Sequence, residues 1–555
     1  MPISPTYPGV YIEELPSAVR TIIGVPTSIA AFIGTAPRGA TDRPVHITSF
    51  ADYEAEFGGL DKQSEMSHAV YHFYQNGGSE AEIVRIVRSA NPPVKEGEPA
   101  PDPVPKLATK AKISLAGKKG SADAPLNLTA VSEGLWGNKL RVRIDYDTLE
   151  APEARTVYNL TIRDTATGGL TERYLNVSPD PTSATSLKKL LAGSRLVAVL
   201  DGDDVMPNQH EPVGTKDGPK IGEDPFKNDK GTGEHAWYTE VGADEDVRGA
   251  DGDPPEAFNY RGGSQGEEKK EGLYQLLKTD IFNILCLPGA VGQKDSPESI
   301  VTEAGQFCLD RRAMLILDSP RGQSLSDAAK AEFPALGDAL KNAAIYYPRV
   351  EVPDPIQNNA AREAGSCGVV AGIWARTDVT RGVWKAPAGT EAGLTGVNRL
   401  TEELTDLEVG RLNPRGVNAL HKLPAFGNVV WGARTLVGDD RKADQWKYVP
   451  VRRLALFIEE SLYRGTQWVV FEPNDEPLWS SIRLNVGAFM NNLFRQGAFQ
   501  GRTPQEAYKV TCDQTNNPQN TIDQGIVNIR VAFAPLKPAE FVIIQIQQLA
   551  GQIQV

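Results

Sequence analysis

Short apolar runs alternate with helix-length segments over residues 273–390. The apolar runs at 282–287, 313–317 and 343–347 have the length of buried strands and end at turn residues. The intervening stretches 297–311 and 324–341 repeat their apolar residues at helical spacing. This alternation is typical of a sheet with helices on its faces, so the region is predicted to be α/β.

Residues 26–90 show the same strand–helix–strand pattern. An apolar run at 29–35 and an alternating run at 83–87 flank a predicted helix over 64–75, with Ser64 as its cap. We therefore predict one α/β core domain built from 26–90 and 273–390.

Residues 91–272 interrupt this core. Residues 91–106 contain six prolines and indicate a linker, and 107–200 alternate apolar and polar residues as a small β-rich domain does. Residues 201–272 hold 19 of the 71 acidic residues but only 8 of the 58 basic ones, with few apolar residues. We predict an inserted domain over 91–272 whose acidic part is an exposed, partly flexible loop and is dispensable for assembly.

Residues 391–535 have a mixed α+β pattern, with a long helix predicted over 476–497 and a strand over 526–533. The fold class is thus α/β plus α+β and multidomain. Beyond both ends lie proline-bounded, β-prone arms, 1–25 and 536–555. The pattern leaves open whether the arms pack on their own chain or add strands to neighbouring subunits.

The helical region 477–505 contains basic residues and no Asp or Glu. Arg483 and Arg495 lie twelve positions apart, which we take as close to one helical face. The stretch is either a solvated amphipathic helix or a basic surface that docks on an acidic partner. Each exposed ion pair contributes little free energy, so stable binding of a partner would need such contacts from many copies of the chain.

Three motifs suggest chemistry. His68 and His72 have the spacing of a metal-binding helix, but no third ligand lies nearby in sequence, so a solvated helix is the preferred interpretation. Residues 262–266 fit G-x-S-x-G without the strand that a nucleophile elbow needs. Ser366, in a small-residue turn before an apolar helix, is the candidate nucleophile of a serine hydrolase, although residues 273–390 contain no histidine.

Composition narrows the function further. The net charge is −13 and no apolar run is long enough for a membrane helix, so neither nucleic-acid binding nor direct membrane insertion is expected. The four cysteines form no C-x-x-C pair, and no P-loop or dinucleotide fingerprint occurs. We expect no metal, no cofactor and no catalytic residue. The N-terminal sequence lacks a signal-peptide pattern, which favours synthesis in a reducing cytoplasm.

Several blocks together resemble the tail sheath proteins of contractile phage tails and related injection systems. They cover 1–90 and 273–555, whereas 91–272 matches no family motif and indicates a lineage-specific insertion. The blocks are 7–14 (YPGVYIEE), 27–37 (TSIAAFIGTAP), 371–378 (AGIWARTD), 384–389 (WKAPAG), 412–418 (LNPRGVN), 430–436 (VWGARTL), 448–453 (YVPVRR), 471–474 (FEPN) and 534–541 (APLKPAEF).

The resemblance implies a structural subunit that polymerises as stacked hexameric rings around an inner tube protein and contracts. It also implies a subtilisin-like α/β domain without a catalytic triad, a tube-facing domain over 391–535, and baseplate and terminal cap proteins as partners. Such particles are assembled in the bacterial cytoplasm, as a phage tail or as an injection particle that is released. The alternatives are a hydrolase using Ser366 and a non-contractile assembly protein.

On this resemblance, the two arms exchange strands between subunits and the basic helix contacts the tube. The expected tube contacts are Arg483 and Arg495. The expected strand-exchange residues are Tyr7, Val10, Tyr11, Ile12, Phe541, Val542, Ile543, Ile544 and Ile546.

Overall fold

A mixed sheet of eight strands organises the core domain in the computed structural model. The model describes residues 20–93, 103–118, 125–149, 156–227, 231–233, 235–290, 297–330 and 332–545. In spatial order the strands are β18 (Gly427–Val430), β17 (Val417–Leu423), β13 (Ala343–Tyr347), β12 (Met314–Asp318), β11 (Ile284–Cys286), β1 (Ala30–Gly34), β3 (Ala81–Arg85) and β2 (Val45–Ile47).

The six inner strands are parallel and the two edge strands are antiparallel. Parallel strands are buried on both faces, which explains their continuous apolar runs. In β1, Phe32 belongs to one hydrophobic cluster and Ile33 to the opposite one. The first cluster includes side chains of α1 (Phe50–Phe57), α2 (Glu65–Gln75) and α8 (Cys367–Arg381), and the second includes those of α6 (Pro297–Asp310).

The predicted core strands and the α/β class are confirmed, but two details are wrong. The predicted helix over 324–341 is interrupted: α7 (Leu325–Ala328) is followed by a separate 3₁₀ segment, Pro334–Asn342, in which Gly337 has a positive φ of 50°. The core also does not end at residue 390, because β17 and β18 belong to its sheet. A side sheet pairs β14 (Val350–Asp354) with β15 (Ala360–Ala364) and β16 (Arg399–Leu400).

The insertion forms a β-rich domain with its own hydrophobic cluster. One sheet contains β4 (Lys112–Leu115), β5 (Leu126–Ala130) and β9 (Val197–Asp201). The other contains β6 (Leu140–Asp145), β7 (Tyr158–Asp164), β8 (Thr171–Val177) and β10 (Thr239–Glu240), and α3 (Leu187–Leu190) packs nearby.

The acidic segment 201–272 is not the loose loop that its composition predicts. Its residue His210 is buried and accepts a 2.9 Å hydrogen bond from the Ile144 amide of β6. At its other end, Ala257 and Tyr260, in α4 (Ala257–Tyr260), are buried in the core domain. A few buried residues at fixed positions therefore tie the segment to the inserted domain and to the core domain, which net charge does not reveal.

Because the segment 201–272 packs in both domains, it is not expected to be dispensable. Replacement of 201–272 by a Gly/Ser linker should abolish cooperative unfolding, because Tyr260 and its neighbours leave the core. The entry and exit of the insertion meet instead at Lys106 and Asp253, which exchange backbone and side-chain hydrogen bonds of 2.7–2.9 Å. Replacement of 107–252 by a short linker should preserve the cooperative thermal transition of the core, measured by calorimetry. Loss of that transition would contradict this boundary.

Two long helices and a hairpin form the C-terminal domain around another cluster. Its elements are α10 (Val449–Gly465), α11 (Glu476–Arg495), α12 (Pro504–Ala507), β19 (Tyr508–Thr511), α13 (Gln519–Asp523) and β20 (Arg530–Phe533). The remaining helices of the described chain are α5 (Gly266–Lys269), α9 (Asp406–Leu412) and the 3₁₀ segments Leu135–Lys139, Leu191–Gly193, Gly263–Gln265, Gly272–Lys278, Pro355–Gln357, Asn413–Arg415 and Gln467–Val469.

Candidate functional site

The Ser366 turn lies at the end of the central sheet but lacks the geometry of a hydrolase. The Ser366 hydroxyl donates a 3.3 Å hydrogen bond to the Asp318 carboxylate, and the Cys367 amide donates one of 2.7 Å to the same carboxylate. Ser366 is only 1% exposed, so a substrate carbonyl has no access to it. His68 lines the same small cleft as Cys367, but neither ring nitrogen has a hydrogen-bond partner. The turn therefore packs helix α8 against the sheet.

His68 and His72 are buried rather than solvated, which corrects the preferred sequence interpretation. They are 1% and 2% exposed; His68 lines a small cleft with Arg362 and Cys367, and the Nδ1 atom of His72 lies 3.2 Å from the Oε1 atom of Gln75. Burial lowers the pKa of both imidazoles, that of His72 to about 4. No group of three His, Cys, Asp or Glu residues in the described part of the chain is arranged to hold a metal ion.

The G-x-S-x-G match at 262–266 also lacks its structural context. Helix α4, not a strand, precedes it, and the exposed Ser264 lies in a 3₁₀ turn. None of the described helices combines the length and the apolar character needed to cross a bilayer.

The two arginines of α11 have different environments. Twelve residues are three and a third turns, so the side chains point about 120° apart and not to one face. Arg483 is half-buried, donates a hydrogen bond to the Cys512 carbonyl and lies 2.5 Å from Glu476 in an ion pair. Arg495 is exposed near the end of the helix. Of the two predicted contacts, Arg495 presents its charge to solvent, whereas Arg483 joins α11 to β19.

The N-terminal arm enters the described residues at Arg20 and is held there by its own chain. Its guanidinium lies 4.6 Å from the Trp468 ring, and its amide donates to Asn485 of α11 at 2.8 Å. Ile22 is buried in the C-terminal domain. Residues 20–25 form no strand, and the contacts of Arg20 and Ile22 attach them to the C-terminal domain, so they are not part of a free arm. Tyr7, Val10, Tyr11 and Ile12 lie outside the described residues.

A buried ion pair binds the chain at Thr27, at the end of this attached N-terminal segment. Arg453 of α10 and Asp378 of α8 are 3% and 5% exposed and form two hydrogen bonds of 2.6 and 2.8 Å. Thr27 donates from its hydroxyl to Asp378 at 2.7 Å and accepts from Arg453 at its carbonyl at 2.9 Å. Thr27, which lies just before β1, is thereby bound both to α8 of the core domain and to α10 of the C-terminal domain.

A second buried ion pair holds the C-terminal segment. The Arg434 side chain is 0% exposed and forms a fork with Glu540, through contacts of 2.8 and 2.5 Å. Its remaining N–H groups donate to the carbonyls of Asn413 and Gly438 and to the Asp440 carboxylate, at 2.8–3.1 Å. Tyr448 also donates to Glu540, at 3.2 Å.

Directly after Glu540 the chain is in solvent. The apolar residues Phe541, Val542, Ile543 and Ile544 are 73–84% exposed and belong to none of the described strands, while Ile546 lies outside the described residues. In the C-terminal domain, β19 and β20 pair with each other, and each has an edge without a strand partner among the described strands. The domain thus combines an unpaired β-prone segment with open strand edges.

Comparison with protein families gives two adjacent matches. Residues 262–436 match the model of the phage tail sheath protein central domain, and residues 441–548 match that of the phage tail sheath C-terminal domain. Together they span about half of the chain. The first begins just after α4 and contains five of the eight strands of the core sheet, β11, β12, β13, β17 and β18. The second contains Arg453 and Glu540.

Curated relatives carry the same description. A putative prophage major tail sheath protein of Pseudomonas aeruginosa is 29% identical over 301 residues, which are 53% of this chain and 73% of the relative. The tail sheath protein of Enterobacteria phage T4 is 28% identical over 158 residues, 28% of this chain and only 22% of the relative.

Solved structures show a similar fold. A sheath tail protein of Listeria innocua superposes with a TM-score of 0.56 at 13% identity, covering 93% of this chain and 96% of that one. The contracted PVC sheath complex of an extracellular contractile injection system superposes with a TM-score of 0.52 at 19% identity, covering 99% of both chains.

Proposed function

We propose that this chain, which belongs to the family of contractile phage tail sheath proteins, polymerises as stacked hexameric rings around an inner tube and drives that tube forward by contracting. The subunits would move as rigid bodies into a packing of lower free energy. Such a mechanism needs no catalytic site, which agrees with a buried Ser366 bonded to Asp318.

The exposed segment after Glu540 carries this proposal. Four consecutive apolar, β-prone residues, 541–544, lie in water, and such a segment promotes association unless it is paired. Addition of this segment to an open edge supplies main-chain hydrogen bonds, and each contributes about 0.5–1.5 kcal/mol. The hairpin of β19 and β20 offers such an edge on a second copy of the chain. Tyr7, Val10, Tyr11 and Ile12 are proposed to do the same from the N-terminal arm.

Removal of residues 541–555 should give a folded protein that no longer polymerises. This truncation keeps the ion pair of Glu540 with Arg434. A truncation that begins at residue 536 would leave Arg434 buried without its main partner, so a folding defect could not be distinguished from an assembly defect. Ile543→Pro should cause the same loss with one change, because proline cannot contribute a ladder hydrogen bond. Ile543→Val, which keeps strand propensity, is the matched control.

Sedimentation reports assembly and thermal melting reports the fold. We expect a wild-type-like melt for all three variants and sedimenting polymer only for the valine variant. Long polymers from the truncated or proline variant would refute strand exchange through this segment.

The tube contact is proposed to use Arg495 on exposed α11. Arg495→Glu should leave the melt unchanged but reduce the amount of sheath that assembles on the tube, because like charges would then face an acidic tube surface. Arg483→Glu is less informative, since it breaks the Glu476 pair inside the subunit. Normal assembly of the Arg495 variant on the tube would remove this contact from the proposal.

The remaining parts of the particle follow from the same proposal. The core domain corresponds to the subtilisin-like domain of the family, the C-terminal domain faces the tube, and the inserted domain projects outward. Baseplate and terminal cap proteins would bind the ends of the polymer. The subunit would be made and assembled in the bacterial cytoplasm, as part of a phage tail or of a contractile injection particle that is released. The mixed α/β fold and the sheath-like neighbours support this arrangement.

A further inference from the structure

The Arg434–Glu540 pair lies at the point where the C-terminal chain changes from packed to exposed. Before it, Ala534 is bound by backbone hydrogen bonds to Gln500 and Ala507, at 2.9 and 2.8 Å. After it, residues 541–544 are exposed. Glu540 is therefore the last described attachment of the chain before the free segment begins.

Arg434 is itself fixed to the central sheet. Its amide donates to the Asn418 side chain at 2.7 Å, and Asn418, in β17, donates back to the Arg434 carbonyl at 2.8 Å. Asn418 is 0% exposed and also donates to the Ile345 carbonyl of β13 at 3.1 Å. A continuous path of hydrogen bonds thus runs from Glu540 through Arg434 to two parallel strands.

We infer that the Arg434–Glu540 pair anchors the C-terminal strand: it connects a strand that is held by a neighbouring copy to the central sheet of its own subunit. The inference rests on the proposed strand exchange. A charge-assisted fork of two parallel hydrogen bonds has the strength and fixed direction that this role needs. The pair also sets the length of the free strand. Release of Glu540 would free residues 536–540, and the C-terminal segment could then extend about 17 Å further from its own subunit.

Glu540→Gln tests this role with little change in shape. The variant keeps an oxygen acceptor but loses the negative charge that faces Arg434. Tyr448→Phe is a milder change, since it removes only the 3.2 Å hydrogen bond to Glu540. Glu403→Gln is the matched control, because it removes the charge of the ion pair of Glu403 with Lys422, in which both side chains are more than half exposed.

Hydrogen exchange of the unassembled full chain is the first measurement. In Glu540→Gln the hydrogen-bonded amides of Gln500 and Ala534, which hold the chain just before this segment, should exchange roughly tenfold faster or more, since charge-assisted bonds are the strong ones. Tyr448→Phe should give a smaller increase at the same residues, and Glu403→Gln none. Unchanged exchange at Gln500 and Ala534 would overturn the inference. Faster exchange across the whole C-terminal domain would also overturn it, because the pair would then serve only general stability.

Resistance of the polymer to urea is the second measurement. Polymers of Glu540→Gln should dissociate at a lower urea concentration than those of the wild type and of Glu403→Gln, while the unassembled subunits unfold at similar concentrations. Dissociation of all polymers at the same urea concentration would contradict the anchoring of the strand through Arg434 and Glu540. If the wild type itself forms no polymer, the proposed function fails. The hydrogen-exchange experiment still decides whether Arg434 anchors the C-terminal segment through Glu540.

Discussion

Replacement of Asp378 by alanine is expected to lower the free energy of unfolding by about 3–5 kcal/mol, as when one partner of a buried ion pair is removed. The Arg453 guanidinium is 3% exposed, and of its hydrogen bonds to described residues only the one to the Thr27 carbonyl would remain, beside the Trp374 ring 4.8 Å away. Because this pair joins α8, α10 and the start of the core, its loss should loosen the contact between the two domains.

Urea denaturation of the unassembled full chain measures this effect. Glu391→Ala is the matched control, since Glu391 pairs with Arg381 of the same helix and both side chains are at least half exposed. Such a pair contributes about 0.2–1 kcal/mol. A loss of stability in Asp378→Ala no larger than in the control would show that the buried pair does not hold the domains together.

Acid should destabilise the inserted domain through His210 by about 3 kcal/mol at pH 4. Burial, with a contribution from the Arg143 cation, lowers the pKa of His210 from 6.5 to about 4. The unfolded chain therefore binds a proton more readily between these values, so stability falls as pH decreases from about 6.5 to 4. The structural cause is specific: Nδ1 accepts from the Ile144 amide, so protonation at that nitrogen would break the bond.

His210→Asn tests this prediction, because the asparagine oxygen can replace Nδ1 as acceptor and does not titrate in this range. Denaturation midpoints of the inserted domain should be similar for variant and wild type at pH 7 and should separate as the pH falls to 4.5, with the variant more stable. Parallel pH curves for the two proteins would exclude His210 as the cause. His72, whose pKa burial also lowers to about 4, should act in the same way on the core domain.

The elements of the core were predictable because their strands are buried on both faces and so appear as continuous apolar runs. β13 occupies the predicted residues 343–347, and Ser64 caps α2 as expected. The interrupted helix at 324–341 was not predictable from apolar spacing, since the break depends on the backbone conformation of Gly337. The acidic segment was misjudged because a few residues such as Tyr260, and not its average composition, decide where it packs.

The attachment sites of the arms were harder to predict than the arms themselves. Arg434 and Glu540 are 106 residues apart, and Asp378 and Arg453 are 75 apart. No local spacing rule connects such pairs, because tertiary folding alone brings them together. Both arginines lie in blocks that resemble the sheath family, but a charged residue in a motif does not reveal its partner. The exposed segment 541–544, by contrast, is visible in sequence as an apolar run beyond two prolines.

Electron microscopy of the full chain, purified after coexpression with the inner tube protein, will show whether the subunit polymerises as a sheath with exchanged C-terminal strands. We expect hollow sheaths around tubes, built from stacked rings with sixfold symmetry, in which density continues from residue 540 of one subunit to strands β19 and β20 of another. Monomers alone, or polymers in which residues 541–545 pack on their own subunit, would contradict it.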